Sequence, residues 1–245
     1  MSLIISVYVG EGIVMAGDSR SSFNTAYKTI GVDGNPEKEV YHHSIHVSDT
    51  TYKTFVTNSH VGILTCGDAS IKGVPLVQFI ENYIRLHDDD NVENIAYTVG
   101  DYFRGIDPQL NVHFIVAGYM QQENETYEQR VYHIMTAENI VTMKNTPGVQ
   151  GAVWDGVVDV LSRLMQNIAY KINNQYIDGE PVEVMWNFFT LQDAIDYAQY
   201  AIKVTIDTLK FQKREKSVGG PIDVLVLKPG SHQWIARKEL HLIGM

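Results

Sequence analysis

The sequence predicts an α+β layered fold, and three observations carry the prediction. Short β-rich runs cluster at the two ends and in the middle of the chain. Amphipathic helical stretches come in groups between them and not one after each strand. No linker of shifted composition and no repeat of solenoid length divides the 245 residues. A strictly alternating strand-helix order would have pointed to a parallel sheet instead. With 44% apolar residues, the chain has enough material for a sizeable buried core.

The elements follow in order. Leu3 to Val9 and Ile13 to Ala16 are β-rich runs separated by Gly10-Glu11-Gly12, which is hairpin punctuation. This apolar opening lacks a basic start and is broken by those three residues, so it reads as strands and not as a secretion signal. Residues 31 to 39 are rich in turn formers and charge, and Val40 to Val47 alternates around His42, His43 and His46. An inserted flap is therefore expected at about 29-50. Lys53 to Val56 and Val61 to Cys66 form a second hairpin that ends in Gly67-Asp68.

Beyond Asp68 the apolar period changes. Val74, Val77, Ile80 and Ile84, then Ile95, Val99, Phe103 and Ile106, recur three and four residues apart and predict two amphipathic helices. Strands resume at Val112 to Gly118, Val131 to Thr136 and Ile140 to Met143, and a third helix is expected from Val149 to about Ile172. A fourth helix has the clearest start: Thr190 at the N-cap, Asp193 three residues on, and apolar positions 191, 194, 195, 198, 201, 202, 206 and 209. After Val218-Gly219-Gly220-Pro221, Ile222 to Leu227 and Gln233 to Leu240 read as closing strands.

Charge and cysteine usage narrow the function classes. A net charge of −10 argues against a phosphate-tracking surface, since nucleic-acid binding needs clustered Lys and Arg, and the only dense basic stretch, Lys210 to Lys216, contains Glu215. No run approaches the roughly 20 apolar residues of a membrane helix, so neither nucleic acid nor membrane is an expected partner. The single cysteine, Cys66, cannot form an internal disulfide, which suits a reducing cytoplasmic location and excludes a zinc cage built from cysteines. Alternation puts His42 and His46 on one strand face and His43 on the other, a pattern of solvated histidines, and Cys66 reads as buried packing. No metal and no cofactor is expected.

Four segments carry the chemistry. Gly12-Ile13-Val14-Met15-Ala16-Gly17-Asp18-Ser19-Arg20 resembles the second-strand signature of proteasome β-subunits. Leu64-Thr65-Cys66-Gly67-Asp68-Ala69 is similar to the strand-to-helix junction that holds the family's oxyanion glycine. Ile115 to Tyr119 resembles its central strand, and Ser217-Val218-Gly219-Gly220-Pro221-Ile222-Asp223 the turn that closes its active site. Singly each is weak, but their order and spacing extend the resemblance from residue 2 to about 228, nearest to the bacterial proteasome homologues. The resemblance implies a four-layer α/β/β/α sandwich of two antiparallel sheets, the N-terminal-nucleophile (Ntn) hydrolase fold, as one domain over residues 1-245.

It also implies roles. The family's nucleophile is a hydroxyl whose own α-amine takes its proton, so it must be the first residue of the mature chain. Counting back from Asp18 gives Ser2, freed by loss of Met1. Lys53, 14 residues before Gly67, falls on the catalytic lysine; Asp18 would orient it, a Gly67 N–H would hold the oxyanion, and Glu215 would support the amine. Ser21, Thr51, Phe55, Thr65 and Ala69 fall on substrate-pocket positions and predict a small or mildly polar pocket. The stretch from Asp18 to Lys53 exceeds the family's by about twenty residues, which is the flap. Where active subunits carry supporting serines, this chain is expected to have Val149 and Val218.

The reading is thus a peptidase-like amide hydrolase acting on peptide or other amide bonds. It would work as a homo-oligomeric ring or helical stack, with any unfoldase partner unassigned. The alternative is a catalytically inactive scaffold or binding subunit of the same fold.

Overall fold

The computed structural model describes residues 2–30, 36–180 and 183–239, with side chains described as far as Phe23 and again from Ile45. The chain runs through β1 (Leu3–Val9), β2 (Gly12–Gly17), β3 (Ser21–Ile30), β4 (Pro36–Ser48), β5 (Thr54–Val56) and β6 (Gly62–Gly67). A small hairpin, β7 (Ser70–Ile71) and β8 (Val74–Pro75), precedes α1 (Leu76–Leu86) and α2 (Val92–Ile106). Then come β9 (Val112–Gln121), β10 (Tyr127–Met135), β11 (Ile140–Met143), β12 (Gly151–Gly156) and α3 (Asp159–Met165). The last elements are β13 (Ala169–Ile172), β14 (Gln175–Asp178), α4 (Leu191–Phe211), β15 (Asp223–Lys228) and β16 (Ser231–Ala236).

Two five-stranded sheets are stacked, one ordered β12-β1-β2-β15-β16 and the other β11-β10-β9-β6-β5, with antiparallel pairing throughout. Three apolar layers bind the stack. Alternate residues of β1, β2 and β15, among them Leu3, Ile5, Val7, Val14 and Val226, pack under α3 and α4. The residues between them, Ile4, Tyr8, Ile13, Met15 and Leu225, meet Leu64, Ile115, Ala117 and Val131 of the other sheet. That second sheet is covered outside by α1 and α2 through Ile80, Tyr83, Val99 and Phe103. The result is a four-layer α/β/β/α sandwich. Because β1 and β2 are buried on both faces, they read as continuous apolar runs without polar alternation.

The expected third helix is instead a strand, a short helix and the first strand of a small hairpin. Gly151–Gly156 pairs with β1 from Tyr8↔Gly151 to Leu3↔Gly156, and the short α3 starts only at Asp159. Hydrogen bonding to an edge more than 140 residues distant overrides local helical spacing, which is why period alone misreads this segment. The fourth helix matches its signature: the Thr190 side chain accepts from the Asp193 N–H, and Asp193 reciprocates at the Thr190 N–H. The expected flap is a long antiparallel hairpin, β3 with β4; of its turn-rich residues 31 to 39, 36–39 belong to β4 and 31–35 lie outside the described residues. The last strand ends earlier than expected, at Ala236.

Candidate active site

Asp18 follows directly on β2 and is fully buried. Its Oδ1 accepts from Leu3 N (3.0 Å) and Lys53 Nζ (2.8 Å), and its Oδ2 from Gly219 N (3.0 Å) and Arg20 N (3.1 Å). Four donors from four parts of the chain thus converge on one carboxylate. This number matters because an ion pair taken out of water is tolerable only when the remaining lone pairs are satisfied. Lys53, leading into β5, is nearly as buried, and its ammonium also donates to Arg20 O at 2.5 Å.

Arg20 is fixed in turn. Its Nε and Nη2 form a bidentate pair with Asp49 at 2.6 and 2.8 Å, and Nη1 donates to Lys216 O. The hydrogen bond from Arg20 holds the Asp49 carboxyl below the usual carboxylate range, and the same bond raises Arg20. The end of the long hairpin, the loop before β15 and the end of β2 are tied together at this point.

Ser2 lies at the other side of Asp18, 5% exposed. Its carbonyl accepts from Val157 N at 2.7 Å, just past β12. Gly156 makes this approach possible: φ is +100°, and a Cβ there would sit 1.9 Å from Ser2 O. The residues against Ser2 are therefore Gly156 and Val157. Val149, expected in that place, is more than half exposed and lies before the far end of β12. Gly67 also has a positive φ, +107°, and a Cβ would come within 2.3 Å of Asn111 O. Backbone packing against β9 demands glycine here, independently of any need for substrate to approach.

Ser2, Lys53 and Gly67 line one pocket, together with Ser21, Thr51, Thr65 and Ala69. Its deeper wall is Leu76, Val77 and Ile80 of α1, so the cavity is more apolar than the sequence-expected lining. Asp18 stands behind Lys53 and not in the wall. Phe55 is packed into the core beneath α1 and α2. Glu215 accepts from Ser22 Oγ at 2.7 Å, at the pocket rim. Ser217 and Val218 are both buried, Val218 in the layer under α4.

Comparison with known proteins supplies the context for this geometry. No family model and no curated protein matches the sequence. Among solved structures, an Anbu (Gly-1) mutant from Hyphomicrobium sp. strain MC1 superposes with a TM-score of 0.58 at 18% identity, over 97% of this chain and 86% of that one. Anbu (ancestral beta-subunit) from Yersinia bercovieri gives 0.53 at 14% identity, over 95% and 86%. The fold is that of the Ntn hydrolases. At these identities the likeness is one of architecture, and Ntn activity has to be argued from the site. Among the described residues no helix is long and apolar enough to cross a membrane.

The Ntn frame also holds polar groups that sequence reasoning missed. Asp155 of β12 projects between the sheets, where its Oδ2 accepts from His113 Nδ1 (2.6 Å) and His133 Nε2 (2.5 Å) and its Oδ1 from Gly156 N (2.5 Å). Burial works to raise the Asp155 carboxyl, but these donors outweigh it and hold it far below the usual carboxylate range. The bond to Asp155 raises His113 against its own desolvation. Burial pushes the thiol of Cys66, opposite His113 on β6, well up. Lys238 and Asp223 form another buried pair beside Tyr52, and burial lowers the Lys238 ammonium. The available signal was a histidine inside each apolar run, Val112-His113-Phe114 and Tyr132-His133-Ile134. Of the flap histidines, His46 is exposed and lies 3.1 Å from Asp49; the side chains of His42 and His43 lie outside the described residues.

Proposed function

We propose that this chain is a proteasome-like subunit that holds extended peptide segments in the Ser2–Gly67 pocket and serves as a scaffold or binding subunit. The observation that carries this reading is that the positions expected to support the amine hold no serine: Val218 is buried under α4, and Val149 is exposed and apart from the Gly156–Val157 turn that meets Ser2. Ntn chemistry requires a free Ser2 amine to take the hydroxyl proton, with polar groups to support it. The Lys53 ammonium, held by Asp18 and Arg20 O, is compatible with either reading. The apolar wall of Leu76, Val77 and Ile80 would receive an apolar side chain of the bound segment. Assembly as a homo-oligomer, ring or stack, is part of the same proposal and rests on the family resemblance of the sequence.

A second reading is favoured by one specific observation, that Ser2, Lys53 and Gly67 line the same pocket. After removal of Met1, Ser2 Oγ would attack an amide carbonyl, its own amine taking the proton. Lys53 would lower the hydroxyl pKa from its place beside Asp18, the Gly67 N–H would meet the oxyanion, and Glu215 would support the amine through the rim. Ser21, Thr51, Thr65 and Ala69, over Phe55, would then contact substrate. Loss of one oxyanion donor typically costs about two to three decades in rate.

Intact mass of the untagged, natively expressed protein, followed by exposure to a peptide epoxyketone, separates the two. Retained Met1 and no adduct is the expected result. A mass lacking Met1 with one adduct on Ser2 overturns the scaffold reading and establishes the hydrolase.

A further inference from the structure

Cys66 lines the Ser2 pocket, and from there a polar cluster runs on through His113, His133 and Asp155 into the inter-sheet layer, among Ile4, Leu64, Ile115 and Val131. Three come from one sheet and one from the other. Cys66 and His113 are directly opposite on β6 and β9, His133 is two positions along on β10, and Asp155 reaches across from β12. Ligand atoms of Cys66, His113 and Asp155 all lie within 4.8 Å of one another. His133 stands outside that triad but reaches it through Asp155, with Nε2 2.5 Å from Oδ2, and would have to swing inward to complete a four-ligand shell. The two imidazole rings stand at 87°, centroids 5.7 Å apart, so their nitrogens approach the carboxylate from different directions.

An apolar layer is a costly place for a carboxylate, two imidazoles and a thiol unless something gathers them. Sulfur, two imidazole nitrogens and a carboxylate oxygen form a donor set that suits tetrahedral zinc and not magnesium or calcium, which take oxygen shells. Ligands about 2.0–2.1 Å from a tetrahedral ion lie about 3.3 Å apart, so the imidazole–carboxylate contacts would need to open by less than about 1 Å. Asp155 has its outer support already in place, since Gly156 N anchors Oδ1 and leaves Oδ2 aimed at the histidines. The cluster also has an approach route, because His113 and Asp155 keep about a fifth of their side-chain surface exposed.

We propose that Cys66, His113, His133 and Asp155 bind one zinc-class divalent cation that pins the two sheets together beside the Ser2 pocket. The ion takes the place of the thiol proton, which leaves to water, and each imidazole carries its remaining proton on the nitrogen that faces away. Cys66 adjoins Gly67, and Asp155 adjoins the Gly156–Val157 turn that holds Ser2. An ion here would fix both walls of the pocket relative to each other. The site stands whether that pocket binds or cleaves.

The test uses the full chain, stripped with chelator and titrated with Co²⁺ as a spectroscopic probe. One equivalent should produce intense visible bands of tetrahedral cobalt with a near-ultraviolet thiolate charge-transfer band, and Zn²⁺ should displace them. Zn²⁺ at a hundredfold excess over its Kd should raise the unfolding midpoint by about 5–10 °C. Cys66→Ser should lose the charge-transfer band, and His133→Gln should weaken Co²⁺ binding at least tenfold. The control His46→Ala should change neither. Absence of tetrahedral bands at one equivalent, or their persistence unchanged in both variants, overturns the proposal and leaves the cluster as a hydrogen-bonded imidazole–carboxylate network.

Discussion

Replacing Asp18 by Asn should be among the most damaging single changes to the described structure, and far worse than replacing its partner. Asn keeps the shape but removes the charge, so Lys53 is left as a buried ammonium, 6% exposed, with one carbonyl as its remaining partner. Breaking a buried pair by removing one member costs about 3–5 kcal/mol. The Asn amide also turns a donor toward backbone N–H groups of Leu3, Arg20 or Gly219, which adds to the damage. Lys53→Met is the opposite case. The carboxylate left behind still accepts from three backbone N–H groups, so the loss is nearer that of one charged hydrogen bond, about 1.5–3 kcal/mol. At about 2–4 °C per kcal/mol for a chain of this size, Asp18→Asn should lower the unfolding midpoint by roughly 6–20 °C and Lys53→Met by roughly 3–12 °C. The double variant should be no less stable than Asp18→Asn alone, because it removes the stranded charge. Thermal unfolding of the four proteins closes the cycle. An Asp18→Asn midpoint within 2 °C of the parent, or a double variant whose losses simply add, would refute the claim that this pair is held by its surroundings.

Gly156→Ala should be much worse than Gly148→Ala, although both glycines have positive φ, +100° and +75°. A Cβ at 148 meets nothing, so only strain of about 1–3 kcal/mol is expected, whereas at 156 it strikes Ser2 O and must push β12 off β1. Hydrogen exchange at Val157 N and along β1 reads the difference, and equal protection in both variants contradicts it. For Asp49, the folded carboxyl is depressed by Arg20, so its stabilisation is complete above the unfolded value near 4 and is lost as pH falls through the folded value. The midpoint gap between parent and Asp49→Asn should therefore be widest near pH 7, shrink below about pH 4, and narrow with added salt because the pair is partly exposed. A gap that grows on acidification rules this out.

Much of the architecture was legible because it is written in local signals. The continuous apolar runs of β1 and β2, the Thr190 cap with its Asp193 partner, and the three-and-four spacing of α1 and α2 each report an element through its own residues. Ser2, Lys53 and Gly67 line one pocket, but they were singled out through the family resemblance and not through a local signal. What failed depends on partners far along the chain. The segment from Val149 to Ile172 carries apolar residues at helical intervals, but β1 offers it an edge of backbone donors and acceptors, and that edge decides. Asp155 was unreadable for the same reason, since only the β12–β1 register shows that it faces inward.

The two buried polar clusters bear on each other through that register. Asp18 ties Leu3, Arg20, Lys53 and Gly219 on one side of Ser2, while Asp155 ties β12 to β9 and β10 on the other. The residues on either side of Ser2 in contact or in chain, Leu3 and Gly156, are thus tied to two carboxylates, each kept by several donors. Groups of this kind cost stability unless fully partnered, so a fold selected for packing alone would have filled both places with aliphatic side chains. Their presence on either side of the first strand argues that the position of residue 2 is what this structure is built to hold. Both the binding and the hydrolytic readings proposed above depend on that position.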